Sequence, residues 1–259
     1  MTEANHFLPP DNFQETPRPV VATRTSPTNI GLYLLSVTVA KDMGWIGQAE
    51  AVTRLEQTLT TMQQLQRFRG HLYNWYDTSD LRLLDPAYVS SVDSGNLAGH
   101  LIAVAQACQE WQTRPAAPDL RGLHDALALA LEELSANPDP RLSALLEQVA
   151  NHPARATEAA ILAEAHAGAG SELAFWTRAI AASHASQLAD PVSPERLRAV
   201  GDQARQFAMD MEFGFLMQPE KKLLSIGFSV STNTLDANCY DLLASEARLA
   251  SLLDRKSVV

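Results

Sequence analysis

Ile30-Gly31-Leu32-Tyr33-Leu34-Leu35-Ser36-Val37-Thr38-Val39-Ala40 decides the fold class. Wound as a helix, this run is apolar on nearly every side, so it calls for neighbours all round. Ser26 stands where an N-cap hydroxyl is wanted, and Pro27 takes the first helical position, where its missing N–H costs nothing. The apolar run is roughly half of the ~20 residues that a membrane-spanning helix needs. It reads as a buried helix, closed by a turn around Gly44-Trp45-Ile46-Gly47.

The next helix, 48–67, has another character. Val52, Leu55, Leu59 and Met62 form one stripe, while Glu50, Arg54, Glu56 and Gln57 face elsewhere, so one face is buried. Residues 97–111 are again apolar almost all round (Leu97, Leu101, Ile102, Val104, Ala105, Cys108). Residues 120–134 return to a single stripe of Leu120, Leu123, Leu127, Leu131 and Leu134. Buried and half-buried helices taking turns is what concentric rings of helices produce. The chain therefore reads as all-α, an incomplete (α/α)6 barrel, with an ordinary helical bundle or solenoid as the alternative left open by periodicity. Further helices are expected over 141–149, 157–167, 171–188 and 195–215. Leu223 to Val230 alternates enough for a short strand or a β hairpin arm near 222–232, and Asn238 is placed to cap a last helix through about Leu253. Ahead of all this, Asn5 to Pro27 is rich in Pro and polar residues and reads as an extended entry segment.

A chain of 259 residues with 46% apolar content can bury a sizeable core. Its formal charge of -10 and pI near 5.1, without a Lys/Arg cluster, argue against nucleic acid and against an anionic membrane surface. Cys108 and Cys239 form no C-x-x-C pair, which disfavours both a disulfide framework and zinc and fits a reducing compartment. Met1 to His6 lacks a basic region followed by an apolar core, so no signal peptide is read there. His124, His152, His166 and His184 are scattered without ligand spacing. No metal site and no cofactor are expected. Trp111 and Trp176 sit at helical spacing among apolar residues and read as core, and the Ala-rich stretch from Ala126 to Ala189 reads as close helix packing.

Chemistry concentrates in two segments read as linkers beside buried helices, where function usually resides. In His71-Leu72-Tyr73-Asn74-Trp75-Tyr76-Asp77, aromatic faces suited to stacking on sugar rings alternate with amide and carboxylate groups that fix hydroxyls. Aromatic side chains plugging a core beside a turn would give the same composition. Ser90 to His100 reads as a polar, Gly-containing turn before a helix, with Ser94 as the cap and Asp93 near a helix N-terminus. From the residues alone pure capping is the favoured reading, with Asp93 structural.

Five blocks carry a resemblance: His6 to Glu15, Arg24 to Ser36, Gly70 to Thr78, Tyr88 to Leu101, and Tyr240 to Ser251. Together they resemble the glycoamylase-like middle region of bacterial cyclic β-1,2-glucan synthases, over about residues 5–253, with Thr113 to Pro194 less distinctive. In that family a membrane-embedded glycosyltransferase module builds the linear glucan, an (α/α)6 barrel closes it by transglycosylation, and a phosphorylase-like module trims it. The resemblance implies residues 1–253 as a partial barrel domain, with 254–259 a non-native tail and the chain cut at both ends. β-1,2-Glucan and the remaining modules of the parent synthase would then be its partners. The segment itself would be soluble and cytoplasmic, and its parent would reside in the bacterial inner membrane. Glu246 is implied as the acid/base of a retaining transglycosylase, its pKa raised by burial or by Asp241; an exposed helical Glu paired with an Arg is the bland alternative. The nucleophile is implied to lie beyond the C-terminus, leaving the fragment inactive alone. Asp11, Arg24, Asn29, Tyr73, Trp75, Asp77, Asp93, Asn96 and Asp241 are the implied substrate contacts. A β-1,2-glucan hydrolase on the same barrel and a non-catalytic glucan-binding scaffold remain the alternatives.

Overall fold

The computed structural model describes residues 1–113, 117–189, 191–240, 250 and 252. These residues are mainly helical, with small antiparallel sheets. The elements are β1 (Phe13–Gln14), β2 (Val20–Val21), β3 (Arg24–Thr25), α1 (Pro27–Asp42), α2 (Gln48–Gln64), β4 (Arg67–Phe68), β5 (His71–Leu72), β6 (Asn74–Asp77), β7 (Leu83–Ser90), α3 (Ser91–Thr113), α4 (Arg121–Ala136), α5 (Pro140–Val149), α6 (Ala156–Ala167), α7 (Glu172–Gln187), α8 (Pro194–Met209), β8 (Met217–Gln218), β9 (Leu223–Leu224), β10 (Gly227–Ser229) and β11 (Thr234–Leu235). Contacts divide the chain into two compact units. One comprises Met1–Val37, Arg54–Arg114 and Pro194–Val259, the other Thr38–Thr53 and Pro115–Ser193.

In the first unit, α3 lies along α8. Gly201 permits the approach, since a Cβ there would sit 3.2 Å from the Cys108 Cβ. Leu97, Leu101, Val104 and Cys108 point into the core, and burial pushes the Cys108 thiol up to about 12. The stripe Val52, Leu55, Leu59 and Met62 of α2 is buried as its period requires. α2 also pins the N-terminal segment: Thr58 and Thr61 donate to the carbonyls of Phe7 (3.0 Å) and His6 (2.7 Å). A five-stranded antiparallel sheet in the order β11-β10-β7-β6-β3 completes this unit.

The second unit is built by α4 to α7, with α7 packed against both α4 and α6. Its core joins Leu123, Leu127 and Leu134 to Leu142, Leu146 and Val149 of α5, with small Ala residues of α6 filling the close approach. Asp139 caps α5 by accepting from the Arg141 and Leu142 amides, and Ser171 caps α7.

Several expectations change. The chain is mainly helical as expected, with small antiparallel sheets added, because strands of two to eight residues formed where linkers were read. Leu32 is 50% and Val39 40% exposed, so α1 is not surrounded and the strict alternation of buried and half-buried helices does not hold. α3 starts at Ser91, at the beginning of the stretch expected to be a polar turn, and Ser90, not Ser94, caps it by accepting from the Asp93 amide at 3.2 Å. α8 stops at Met209, short of 215, because Gly70 abuts the Asp210 carbonyl and the Glu212 amide donates to the Arg69 carbonyl. The hairpin arm forms a few residues later than expected, as β10 and β11, and β10 also joins β7 of the larger sheet, while β9 pairs back with β8. The last expected helix falls mostly outside the described residues.

Candidate functional site

The aromatic segment is shaped by two consecutive pairings. Arg69 and Gly70 take positive φ (48° and 82°) between β4 and β5, the geometry of a tight two-residue hairpin turn. A Cβ on Gly70 would lie 2.0 Å from the Asp210 carbonyl oxygen, so this position demands glycine twice over. The hairpin buries His71, whose Nε2 donates to the Glu212 carbonyl at 3.0 Å while its ring meets Phe213 and Phe215 edge-on. Burial pulls the imidazole down to about 4, against a smaller upward pull from the Glu212 carbonyl. Sequence reading placed His71 at the edge of a sugar wall; it is instead a neutral core residue.

Beyond the hairpin, β6 alternates in the pleat. Tyr76 is fully buried, its hydroxyl accepting from the Tyr73 amide at 2.8 Å and donating to the Gln66 carbonyl. Tyr73 is 3% exposed and packs edge-on to Tyr76 with centroids 6.5 Å apart, so it offers no open stacking face. Asn74, Trp75 and Asp77 are half-buried. Arg24, opposite Asp77 in the β3–β6 register, holds its guanidinium 4.7 Å from the Trp75 ring centroid.

Arg24 ties this strand pair to the N-terminal segment. Its Nε and Nη2 donate to one Asp11 carboxylate oxygen at 3.1 and 3.0 Å, and Asn29 donates to the other at 3.3 Å. Asn29 sits in the first turn of α1, with its amide N–H capped by Ser26. Asp11, Arg24, Asn29 and Trp75 therefore form one connected group. Across the sheet, Asn74 donates to the Asp93 carboxylate at 2.9 Å, joining β6 to the first turn of α3, and Asn96 donates to Thr28 at 3.2 Å, joining α3 to α1. Asp77 is held low mainly by the Ser79 hydroxyl and amide, with the Arg82 cation adding to it. Glu246 and Asp241 lie outside the described residues.

Sequence reading missed Asn74 as an Asp93 partner, Thr28, and His100. The His100 Nδ1 is buried without a hydrogen-bond partner among the described residues, and a Cβ on Gly31 would reach it at 2.7 Å. The pairing of a strand amide with a carboxylate one helical turn into α3 has no local signature. Only the quoted blocks, which contain both partners, bring them together.

Comparison with known proteins bears on this group of residues. Over 295 aligned residues, which take in 97% of the chain, it is 44% identical to a segment of the cyclic β-(1,2)-glucan synthase NdvB of Rhizobium meliloti (strain 1021). The chain is similar to a piece of a cyclic β-glucan synthase. It spans 10% of that protein's length, and no family model matches it. The synthase-like stretch takes in the Asp11, Arg24, Trp75 and Asp93 segments alike, and among its described residues no helix is long and apolar enough to cross a membrane.

Proposed function

We propose that this chain is part of the transglycosylase, or cyclisation, module of a cyclic β-1,2-glucan synthase, binding β-1,2-glucan through the Asp11–Arg24–Trp75 and Asn74–Asp93 groups. The observation that carries the reading is the likeness to NdvB over nearly the whole chain. The site geometry supports it. Half-buried carboxylates and amides beside an indole suit a neutral sugar, whose hydroxyls take hydrogen bonds and whose C–H face takes the ring. Trp75 is the platform, Asp11 and Asp93 with Asn29 and Asn96 fix hydroxyls, and Arg24 holds both Asp11 and the indole in place. Tyr73 supports the wall from behind, through Tyr76.

In this reading residues 1–253 form the N-terminal part of an incomplete (α/α)6 barrel, with 254–259 a non-native tail, and the parent protein resides in the inner membrane with this segment on the soluble side. A retaining transglycosylase needs two carboxyl groups ~5 Å apart and a glycosyl-enzyme intermediate that a sugar hydroxyl intercepts instead of water. Glu246 is the proposed acid/base, aided by Asp241. Ala250, four residues further along the sequence, packs so tightly on Gly95 that a Cβ there would meet the Ala250 nitrogen at 2.6 Å.

Product analysis of a parent synthase carrying this segment tests the reading. Ring-shaped products that vanish in Glu246→Gln, with linear glucan persisting, are expected. Linear oligosaccharides released by water without rings would replace transglycosylase with hydrolase.

A further inference from the structure

α3 and α8 enclose a second groove, of about 330 Å³, on a different helix pair from the residues assigned above. Its walls are planar, bidentate hydrogen-bonding groups. Arg198, Asp202 and Arg205 recur at i, i+4 and i+7 along α8 and so share one face. Gln106 and Gln109 recur at i and i+3 on α3. From Arg198 to Arg205 the helix rises about 10 Å, room for roughly two pyranose rings along the axis. The floor is Ile102, Ala105 and Gly201, apolar and low because Gly201 carries no side chain.

None of the five wall side chains makes a hydrogen bond or ion pair with another described residue, and Asp202 forms no salt bridge with either arginine beside it. Five exposed planar groups, free to exchange water for a ligand, over an apolar strip match vicinal hydroxyls above the C–H face of a sugar. The wall carries both charge signs, which suits a neutral ligand better than an anion.

The geometry points to a second glucan-binding groove between α3 and α8, which holds a stretch of the same chain of sugars at a distance from the Trp75 platform. It rests on the β-1,2-glucan reading above. Such a groove would tether the polymer while its end reacts elsewhere.

Calorimetric titration of the intact 259-residue chain with a linear β-1,2-linked glucooligosaccharide tests it, beside a Gln109→Ala/Arg205→Ala variant and a Trp75→Ala variant. Both groove residues are exposed, so an unchanged thermal melt checks that the fold survives. The expected result is two binding events, one weakened by about tenfold or more in the groove variant alone and the other in Trp75→Ala alone. A groove variant that titrates like the unmodified chain, while Trp75→Ala loses binding, overturns the groove and leaves the β-1,2-glucan reading standing. Absence of binding to the unmodified chain overturns both. Competition by an anionic sugar, with the neutral one failing to bind the groove, also overturns the proposal.

Discussion

Single residues carry unequal parts of this account, and His71 and Trp75 show the contrast. His71 is neutral and buried, with its imidazole pulled from 6.5 to about 4. Below 6.5 the unfolded chain takes up a proton that the folded chain refuses, so the stability this group contributes is present above 6.5 and is lost as pH falls toward 4. The full effect is roughly 3 kcal/mol. Urea denaturation should show a loss of stability between these pH values that is smaller in His71→Phe; equal losses in the two chains would remove His71 as the cause. Trp75 works through a half-buried indole that keeps part of its ring accessible. Trp75→Ala removes the stacking face and the partner of the Arg24 cation while leaving Tyr76 and the core untouched, so glucan affinity should fall about tenfold, ~1.4 kcal/mol, with an unchanged melting temperature. Direct titration checks it.

Helices were readable in the sequence and, apart from the arm expected near 222–232, strands were not, for a physical reason. α2 and α4 repeat their stripes over four turns, and Leu55, Leu59, Leu123 and Leu134 are buried where the period of 3.6 puts them. β3 and β5 are two residues long, too short for a period of two to register, and although alternation marked the β10 stretch, its partner β7 lies more than a hundred residues away in sequence, with Gly227 opposite Ser90. The turn that starts the aromatic segment depends on such an unreadable pairing. Gly70→Ala would set a Cβ against the Asp210 carbonyl in a backbone conformation that L residues resist, and should destabilise the first unit by about 3 kcal/mol or more. Denaturant midpoints measure it; a near-neutral change would mean that the α8 terminus does not constrain the β4–β5 hairpin. In the second unit Leu146→Ala, a fully buried truncation, should cost about 2–5 kcal/mol by the same assay.

Across the whole molecule, composition said what could be buried but not what would cover it. Leu32 and Val39 are as apolar as Leu34 and Val37, yet half exposed, and nothing in their own stretch distinguishes them. Candidate site residues were legible to different degrees. Asp11, Arg24, Asn29 and Trp75, which the motif blocks singled out, meet in one hydrogen-bonded and cation–π group, whereas Tyr73 turned inward because the pleat of β6 and the Tyr76 hydroxyl claim its backbone. The same chain is 44% identical to a tenth of a cyclic β-(1,2)-glucan synthase, and the proposed division of labour, in which this segment closes rings that another module has polymerised, is a statement about that larger protein. The measurement that meets it most directly is the product spectrum of a parent synthase carrying this segment with Asp93→Asn and, separately, Glu246→Gln. Accumulation of linear β-1,2-glucan with loss of cyclic product is the predicted result; undiminished ring formation in both variants, or loss of polymerisation itself, would contradict it.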